Sequence, residues 1–217
     1  MSQTSPLAIV VLISGGGTNL QALIDACQGS FPARIVAVIS NRPKAFGLQR
    51  AISAGIPVAV LDHTEFEQRE QFDGRLMQLI DGYHPELVVL AGFMRILSTG
   101  FVHHYQGRLI NIHPSLLPLY PGLGTHQQAL DNGDSIHGAS VHFVTDELDG
   151  GPVVLQASVV IEPGDNKETL AARVLPVEHR IYVDVVRWIA EQRLILQNDH
   201  AILDGAVLNS PLQLNNL

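Results

Sequence analysis

The sequence contains a single cysteine, Cys27, among its 217 residues. One cysteine cannot form an internal disulfide, which excludes the disulfide framework of small secreted domains. A lone cysteine is typical of proteins in a reducing compartment, and we predict a cytoplasmic location. The segment that precedes the first apolar run lacks the basic residues of a secretory signal, so we expect no export.

Cationic residues are also scarce, because 13 Lys and Arg stand against 21 Asp and Glu, for a formal net charge of −8. Proteins that bind the phosphate backbone need clustered Lys and Arg, so we predict no nucleic-acid partner. The longest apolar runs, such as 153–155 and 159–161, are far shorter than the roughly 20 residues of a membrane span. The sequence therefore predicts no membrane partner.

The remaining composition is that of a globular protein, with 46% hydrophobic and 16% charged residues. A chain of this length fits one domain with a sizeable core, and we predict a single domain over residues 1–217.

Buried strands alternate with amphipathic helices through the first half of the chain. Continuous apolar runs predict strands at 8–13, 34–39, 58–61 and 87–91. This alternation implies right-handed crossovers, so we predict an α/β fold with a doubly wound, mostly parallel central sheet, Rossmann-like in its N-terminal half.

The second half has a different pattern. Alternating residues at 136–144 and 153–161 predict an antiparallel strand pair. A capping box of Asp165 and Glu168 predicts the start of a long C-terminal helix, which Pro176 should kink. Around residues 204–205 we predict a terminal hairpin.

A glycine turn, SGGGTNL, follows the first strand and opens a helix. Glycines let a ligand approach the backbone, and free N–H groups at a helix start attract an anion, so residues 15–19 suit a phosphate. The dinucleotide fingerprint fails, because Leu20 replaces its third glycine. A tight turn capped by Asn19 or Thr18 explains the same residues equally well.

Two polar residues lie in the buried run 109–112 and directly after it. Asn111 and His113 are two apart on an extended chain, so both side chains leave the same face of the sheet edge. An amide N–H can stabilise a developing oxyanion and a nearby imidazole can move protons, as acyl transfer requires. The alternative is a hydrogen-bonded strand end before the rigid turn at Pro114.

Two further loops carry candidate binding residues. The apolar segment 92–97 could wall a flat aromatic ligand or simply pack onto the core, and both interpretations stay open. The turn TDELDGGP crowds three acids together, and one of them could orient a histidine and favour its charged form. The ten histidines include no H-E-x-x-H pattern, so we predict no metal site.

Four segments in order resemble the phosphoribosylglycinamide formyltransferase family, a group of folate-dependent enzymes of purine biosynthesis: VVLISGGGTNLQALIDA, VVLAGFMRIL, NIHPSLLPLYPG and HFVTDELDGGPV. The resemblance implies a formyl transferase that takes its one-carbon unit from 10-formyltetrahydrofolate, uses no metal, and acts as a monomer or homodimer. It also implies a phosphate-binding half at 1–100, a catalytic and folate-binding half at 101–192, and a hairpin or tail at 193–217.

The resemblance assigns roles residue by residue. Asn111, His113 and Asp149 match the catalytic trio, with Asp149 biasing His113 toward its protonated state. Substrate-binding positions correspond to Gly17, Thr18, Asn19 and Glu178. Folate-binding positions correspond to Arg69, Met94, Arg95, Ile96, Leu97, Asn111, Thr145, Asp146, Glu147, Leu148 and Asp149.

This sequence departs from the family at Leu119 and Gly124, where a basic residue and a histidine are common, and Pro176 lies close to Glu178. Other readings remain. A non-catalytic nucleotide-binding module would explain the glycine turn but not the trio. A formyltetrahydrofolate deformylase or methionyl-tRNA formyltransferase would share the formyl site, but each usually carries an extra domain for which we expect no room.

Overall fold

The computed structural model of the chain describes residues 5–214. Within that range, six α-helices and eleven strands form. The strands are Leu7–Ile13 (β1), Ala33–Ser40 (β2), Val58–Val60 (β3), Leu87–Leu90 (β4), Leu109–His113 (β5), Ile136–Phe143 (β6), Val153–Val160 (β7), Leu194–Gln197 (β8), His200–Leu203 (β9), Ala206–Val207 (β10) and Leu212–Leu214 (β11). The helices are Thr18–Ala26 (α1), Gly47–Ser53 (α2), Arg69–Asp81 (α3), Thr99–His104 (α4), Thr125–Asp131 (α5) and Lys167–Ala190 (α6).

The central sheet is doubly wound, as the sequence predicts. Its strand order is β11, β7, β6, β5, β4, β1, β2, β3, and strands β1 to β5 run parallel. The apolar runs that predict β1 and β4 are buried on both faces, because helices cover the sheet on each side. The order reverses between β1 and β4, and such a switch point is where α/β sheets bind ligands.

The predicted antiparallel pair is also confirmed, since β6 runs antiparallel to both β5 and β7. The terminal hairpin joins β9 and β10 through Asp204 and Gly205, which both have positive φ. Two pairings have no counterpart in the sequence-based prediction. Strand β8 completes a small three-stranded sheet with the hairpin, and β11 returns to pair in parallel with β7.

Helix α6 begins one residue later than the predicted capping box implies. Asn166 is the N-cap, and it shares a reciprocal capping box with Thr169. Asp165 instead binds the guanidinium of Arg173. Since that ion pair occupies the Asp165 carboxylate, the neighbouring asparagine caps the helix. The helix continues through Pro176 to Ala190.

Helix α6 is bound to the sheet near the carboxyl ends of two strands. The buried hydroxyl of Tyr182 donates to the carbonyl of Leu90 at 2.8 Å and lies 3.3 Å from the carbonyl of Ile110. Both strands lead directly into segments that the sequence marks as candidate sites. None of the helices in residues 5–214 combines the length and apolar character required to cross a membrane.

Candidate active site

A cavity of about 610 Å³ opens at the carboxyl ends of β4 and β5. Its walls come from the segment after β4, the end of β5, the turn between β6 and β7, the loop that enters α5, and the start of α6. The wall is mostly apolar, with polar side chains of several segments placed around it. This combination is typical of a small-molecule site.

Asn111 and His113 both line this cavity from β5. They leave the same face of the strand, as their spacing predicts. The strand ends at His113, because the following Pro114 cannot donate to a neighbouring strand. His113 is buried, and Asn111 is half-buried beside it.

Asp149 reaches the same point from the turn between β6 and β7. Its backbone has a φ of 52°, which aims the side chain into the cavity wall. One carboxylate oxygen, Oδ2, accepts from the Gly122 amide at 2.9 Å and lies 3.4 Å from Nδ1 of His113. The other, Oδ1, lies 3.5 Å from Nδ2 of Asn111. The structure therefore brings the amide, the imidazole and the carboxylate together.

The surroundings of His113 act in opposite directions on the charged form that the family resemblance predicts. Nε2 lies 2.8 Å from the carbonyl oxygen of Tyr120, which can only accept, so Nε2 carries a proton. Burial lowers the pKa of His113, and its contacts with Tyr120 and Asp149 offset only part of that effect. Nδ1 faces the Asp149 carboxylate, which also only accepts, so the two contacts of the ring suit its charged form whereas burial opposes that form.

Asp149 itself stays ionised. Burial raises the pKa of its carboxyl, but the neighbouring His142, the Gly122 amide and His113 together lower that pKa by more. A carboxylate is thus fixed 3.4 Å from Nδ1 of His113, and it stabilises a positive charge on the ring.

The other predicted folate-binding residues divide into two groups. Most line the cavity, and the side chains of Met94, Ile96 and Leu148 are more than half exposed there. The members that line it are Met94, Arg95, Ile96, Leu97, Thr145, Asp146, Glu147 and Leu148. Arg69, the first residue of α3, is exposed and is not part of the cavity lining in the described chain.

The glycine turn lies outside this cavity but is connected to it through Ser14. The Ser14 amide donates to the carbonyl of Gly92, and its hydroxyl accepts from the Met94 amide at 2.8 Å. Gly17 has a φ of 69°, and a Cβ there would come within 2.7 Å of the backbone of Gly47. Gly17 is therefore required for packing, whereas Gly15 and Gly16 leave open space beside the turn.

Glu178 and Asn19 meet behind the glycine turn. Nδ2 of Asn19 donates to the Glu178 carboxylate at 2.8 Å, and both residues are more than nine-tenths buried. Burial raises the pKa of Glu178, and the bond from Asn19 offsets that only in part. Oδ1 of Asn19 finds no hydrogen-bond partner within residues 5–214. The structure thus joins two of the predicted substrate-binding residues, with Pro176 accommodated in the helix nearby.

Sequence reasoning missed the neighbours that fix the trio. The Tyr120 carbonyl and the Gly122 amide are backbone groups of a Pro-rich loop, and no side-chain pattern marks them. His142 belongs to a segment of the family resemblance, yet its pairing directly opposite Asn111 depends on the register of β5 and β6. Over the described residues, no cluster of three or more His, Cys, Asp or Glu forms a candidate metal site.

Comparison with known proteins identifies the class to which this fold and cavity belong. The family described as "Formyl transferase" matches residues 7–186, which is most of the chain. The chain belongs to the formyl transferase family.

Relatives with assigned names place it more narrowly. The phosphoribosylglycinamide formyltransferase of Escherichia coli (strain K12) is 58% identical over 198 residues, covering 91% of this chain and 93% of that protein. The protein of the same name from Haemophilus influenzae is 48% identical and covers 92% of this chain and 95% of its own length. A solved structure of phosphoribosylglycinamide formyltransferase from Coxiella burnetii is similar with a TM-score of 0.92 at 53% identity, covering 96% of this chain and 99% of that one.

Proposed function

We propose that the chain transfers a formyl group from 10-formyltetrahydrofolate to the amine of 5'-phosphoribosylglycinamide. The products are formylglycinamide ribonucleotide and tetrahydrofolate, in de novo purine biosynthesis. The observation that carries the proposal is the convergence of Asn111, His113 and Asp149 on one wall of an apolar cavity. The names of relatives that match over nine-tenths of their length support the choice of acceptor.

The reaction needs one bond to form and one to break. The amine nitrogen attacks the formyl carbon, giving a tetrahedral intermediate with a negative oxygen, and the bond from that carbon to N10 of the folate then breaks. One proton moves from the attacking amine to N10. Direct transfer between two bound molecules needs no covalent enzyme intermediate, and much of its acceleration comes from positioning.

Asn111 supplies the donor for the oxyanion in this proposal. Its amide projects from the end of β5 into the cavity wall, where surrounding apolar groups reduce competition from water. An N–H aimed at a developing negative charge in such a site contributes more than it would in water.

His113 carries the proton in this proposal, with Asp149 stabilising its charged form. In its charged form, paired with the Asp149 carboxylate, the ring gives its Nε2 proton to N10 as the bond from N10 to the formyl carbon breaks. The neutral ring then takes up the proton that the attacking amine loses, which restores the imidazolium. Nδ1 stays beside Asp149, so Nε2 is the nitrogen that faces substrate once its hydrogen bond to the Tyr120 carbonyl is broken.

The two substrates bind at two separate places in this proposal. The phosphate of the acceptor binds the free amides at the start of α1, near Gly17, Thr18 and Asn19, with Glu178 contacting the same molecule. The folate occupies the cavity lined by residues of the 92–97 and 144–149 segments. Arg69 remains a predicted folate contact, and the monomeric or homodimeric state and the cytoplasmic location remain predictions as well.

The test is an absorbance assay for tetrahydrofolate release from 10-formyltetrahydrofolate, run with and without 5'-phosphoribosylglycinamide. We expect release that depends on the amine. Release at the same rate without the amine would show a hydrolase instead, and release in neither reaction would leave only a binding module.

A variant pair assigns the activity to the cavity. Asn111→Ala should lower kcat by roughly two to three powers of ten, as loss of an oxyanion donor does. Asn132→Ala provides the matched control, because that side chain donates to the exposed Tyr120 hydroxyl, at the C-cap of α5. Equal rates for Asn111→Ala and the control would contradict the proposed role.

A further inference from the structure

His142 lies directly behind the proposed oxyanion donor. It is opposite Asn111 in the antiparallel pairing of β5 and β6, and only 2% of the residue is exposed. Its Nε2 is 3.2 Å from Nδ2 of Asn111 and 3.6 Å from Oδ1 of Asp149. A buried ring that contacts one of the trio and approaches another is positioned to control their arrangement.

The tautomer of His142 follows from its other nitrogen. Nδ1 lies 2.9 Å from the carbonyl oxygen of Phe143, and a carbonyl oxygen only accepts hydrogen bonds. Nδ1 therefore carries the proton. In the neutral ring Nε2 then has only a lone pair, and it accepts from the Asn111 amide.

This lone pair fixes which end of the Asn111 amide faces inward. An asparagine side chain can rotate by half a turn and exchange its oxygen and nitrogen with little change in shape. Here the rotated form would put the amide oxygen against both the Nε2 lone pair and the Asp149 carboxylate. Two acceptors facing each other in a buried site cost free energy, so the NH₂ group is held on the side of Asp149.

We infer that His142 is a positioning residue for formyl transfer, because the acceptor at its Nε2 holds the NH₂ group of Asn111 on the side of Asp149. It does not touch substrate. One N–H of the amide binds His142, and the second, whose 3.5 Å contact with Asp149 is long, is the one left to donate to the oxyanion. This inference rests on the proposed function, since the oxyanion is that of formyl transfer.

Two substitutions separate the contacts of the ring. His142→Asn keeps a polar group near the Nδ1 position, where it can still bind the Phe143 carbonyl, but removes the acceptor at Nε2. His142→Gln extends a terminal carbonyl toward the Nε2 position and can restore that acceptor. We expect His142→Asn to lower kcat by about tenfold with little change in either KM, since loss of a buried hydrogen bond has that magnitude. His142→Gln should recover most of the rate.

A double-mutant cycle tests whether the effect passes through Asn111. Once Asn111 is replaced by Ala, adding His142→Asn should lower the remaining rate by less than about twofold, because the group that the ring orients is gone. Independent, multiplicative losses of rate would overturn the inference. So would a His142→Gln rate no higher than that of His142→Asn.

A nuclear magnetic resonance measurement separates failure of this inference from failure of the proposed function. In ¹⁵N-labelled wild-type protein, the His142 ring should show a protonated Nδ1 and an unprotonated Nε2, assigned by the loss of its signals in His142→Asn. The Asn111 NH₂ signals should shift in His142→Asn and return toward their wild-type positions in His142→Gln. An Nε2-protonated ring, or Asn111 signals that ignore residue 142, would overturn the inference whatever the enzyme assay shows. A wild-type protein without amine-dependent turnover would refute the proposed function and leave these signals to decide the geometry alone.

Discussion

Replacing Asp149 with Asn removes one charge and little else. An asparagine oxygen can still accept from the Gly122 amide, but the charge 3.4 Å from Nδ1 of His113 is lost. At that distance, with an effective dielectric constant of about 20, two unit charges attract by about 5 kcal/mol. The attraction acts only when the ring is charged, so its loss disfavours the imidazolium that supplies the proton in the proposed mechanism. Since about 1.36 kcal/mol is tenfold in rate, the loss of kcat has a ceiling between three and four powers of ten.

The measurement is kcat for amine-dependent tetrahydrofolate release as a function of pH. We expect Asp149→Asn to lower kcat by about two to three powers of ten, which lies below that ceiling and within the range that acid–base catalysis normally contributes. The carboxylate raises the pKa of His113 against the effect of burial, so its removal should move the His113 titration to lower pH. Asp204→Asn is the matched control, because that exposed carboxylate binds Arg193 in the terminal hairpin.

Two results would refute this reasoning. One is a rate for Asp149→Asn within about threefold of the Asp204→Asn control. The other is a His113 titration that moves to higher pH in Asp149→Asn, because no loss of a nearby negative charge can favour the imidazolium.

Three further predictions concern groups around the trio and the fold that holds it. Glu178→Gln removes a buried carboxylate while retaining an acceptor for Asn19. The KM for 5'-phosphoribosylglycinamide should therefore rise by about tenfold, without loss of stability in urea. An unchanged KM would contradict the proposed contact. Burial and the neighbouring His126 lower the pKa of His137 to about 4, so the unfolded chain binds more protons between about pH 6.5 and pH 4. The wild-type Tm should fall as pH falls through that range, and the Tm of His137→Gln should fall less steeply; parallel curves would count against it. In Gly138→Ala the new methyl group would overlap the Ala157 carbonyl, so the free energy of unfolding measured in urea should fall by more than about 2 kcal/mol. Gly100→Ala in α4 is the control, because its methyl group meets open space and should be neutral or stabilising by up to about 1 kcal/mol. Similar losses in both variants would refute the packing argument.

The parts of the fold that the sequence predicts are those with a strong local pattern. Strands buried on both faces are continuous apolar runs, and the helices between them make the sheet parallel without any knowledge of contacts. Strand β11 is three residues long and pairs with β7 from far along the chain, so local sequence carries no sign of its partner. The start of α6 differs by one residue because Asp165 and Asn166 can both cap a helix, and Asp165 is occupied by contacts with Arg173 and the Glu162 amide that local sequence does not show.

The candidate site also divides into features that the local sequence predicts and features that depend on distant contacts. The two-residue spacing predicts that Asn111 and His113 share a face, and the acidic turn supplies Asp149 as a candidate, whereas the roles of all three come from the family resemblance. The charged state of His113 stays a prediction, because burial of the ring and its contacts with Tyr120 and Asp149 act on its pKa in opposite directions. The sequence did not predict the role of His142, because that role depends on the register of β5 and β6, which places it opposite Asn111. This register is set by the long connection between the two strands.

Helix α6 gives the proposed reaction a fixed length scale. Glu178 reaches the acceptor side from this helix, and one turn further along, roughly 6 Å by the helical rise, Tyr182 bonds the carbonyl of Leu90 near the one-carbon side. A helix is much stiffer along its axis than a loop, so α6 fixes the distance between these two sides of the proposed site. We therefore expect ribonucleotides whose amine lies one bond nearer to or farther from the phosphate to bind with that amine misplaced relative to the formyl group, even where the surrounding loops adjust.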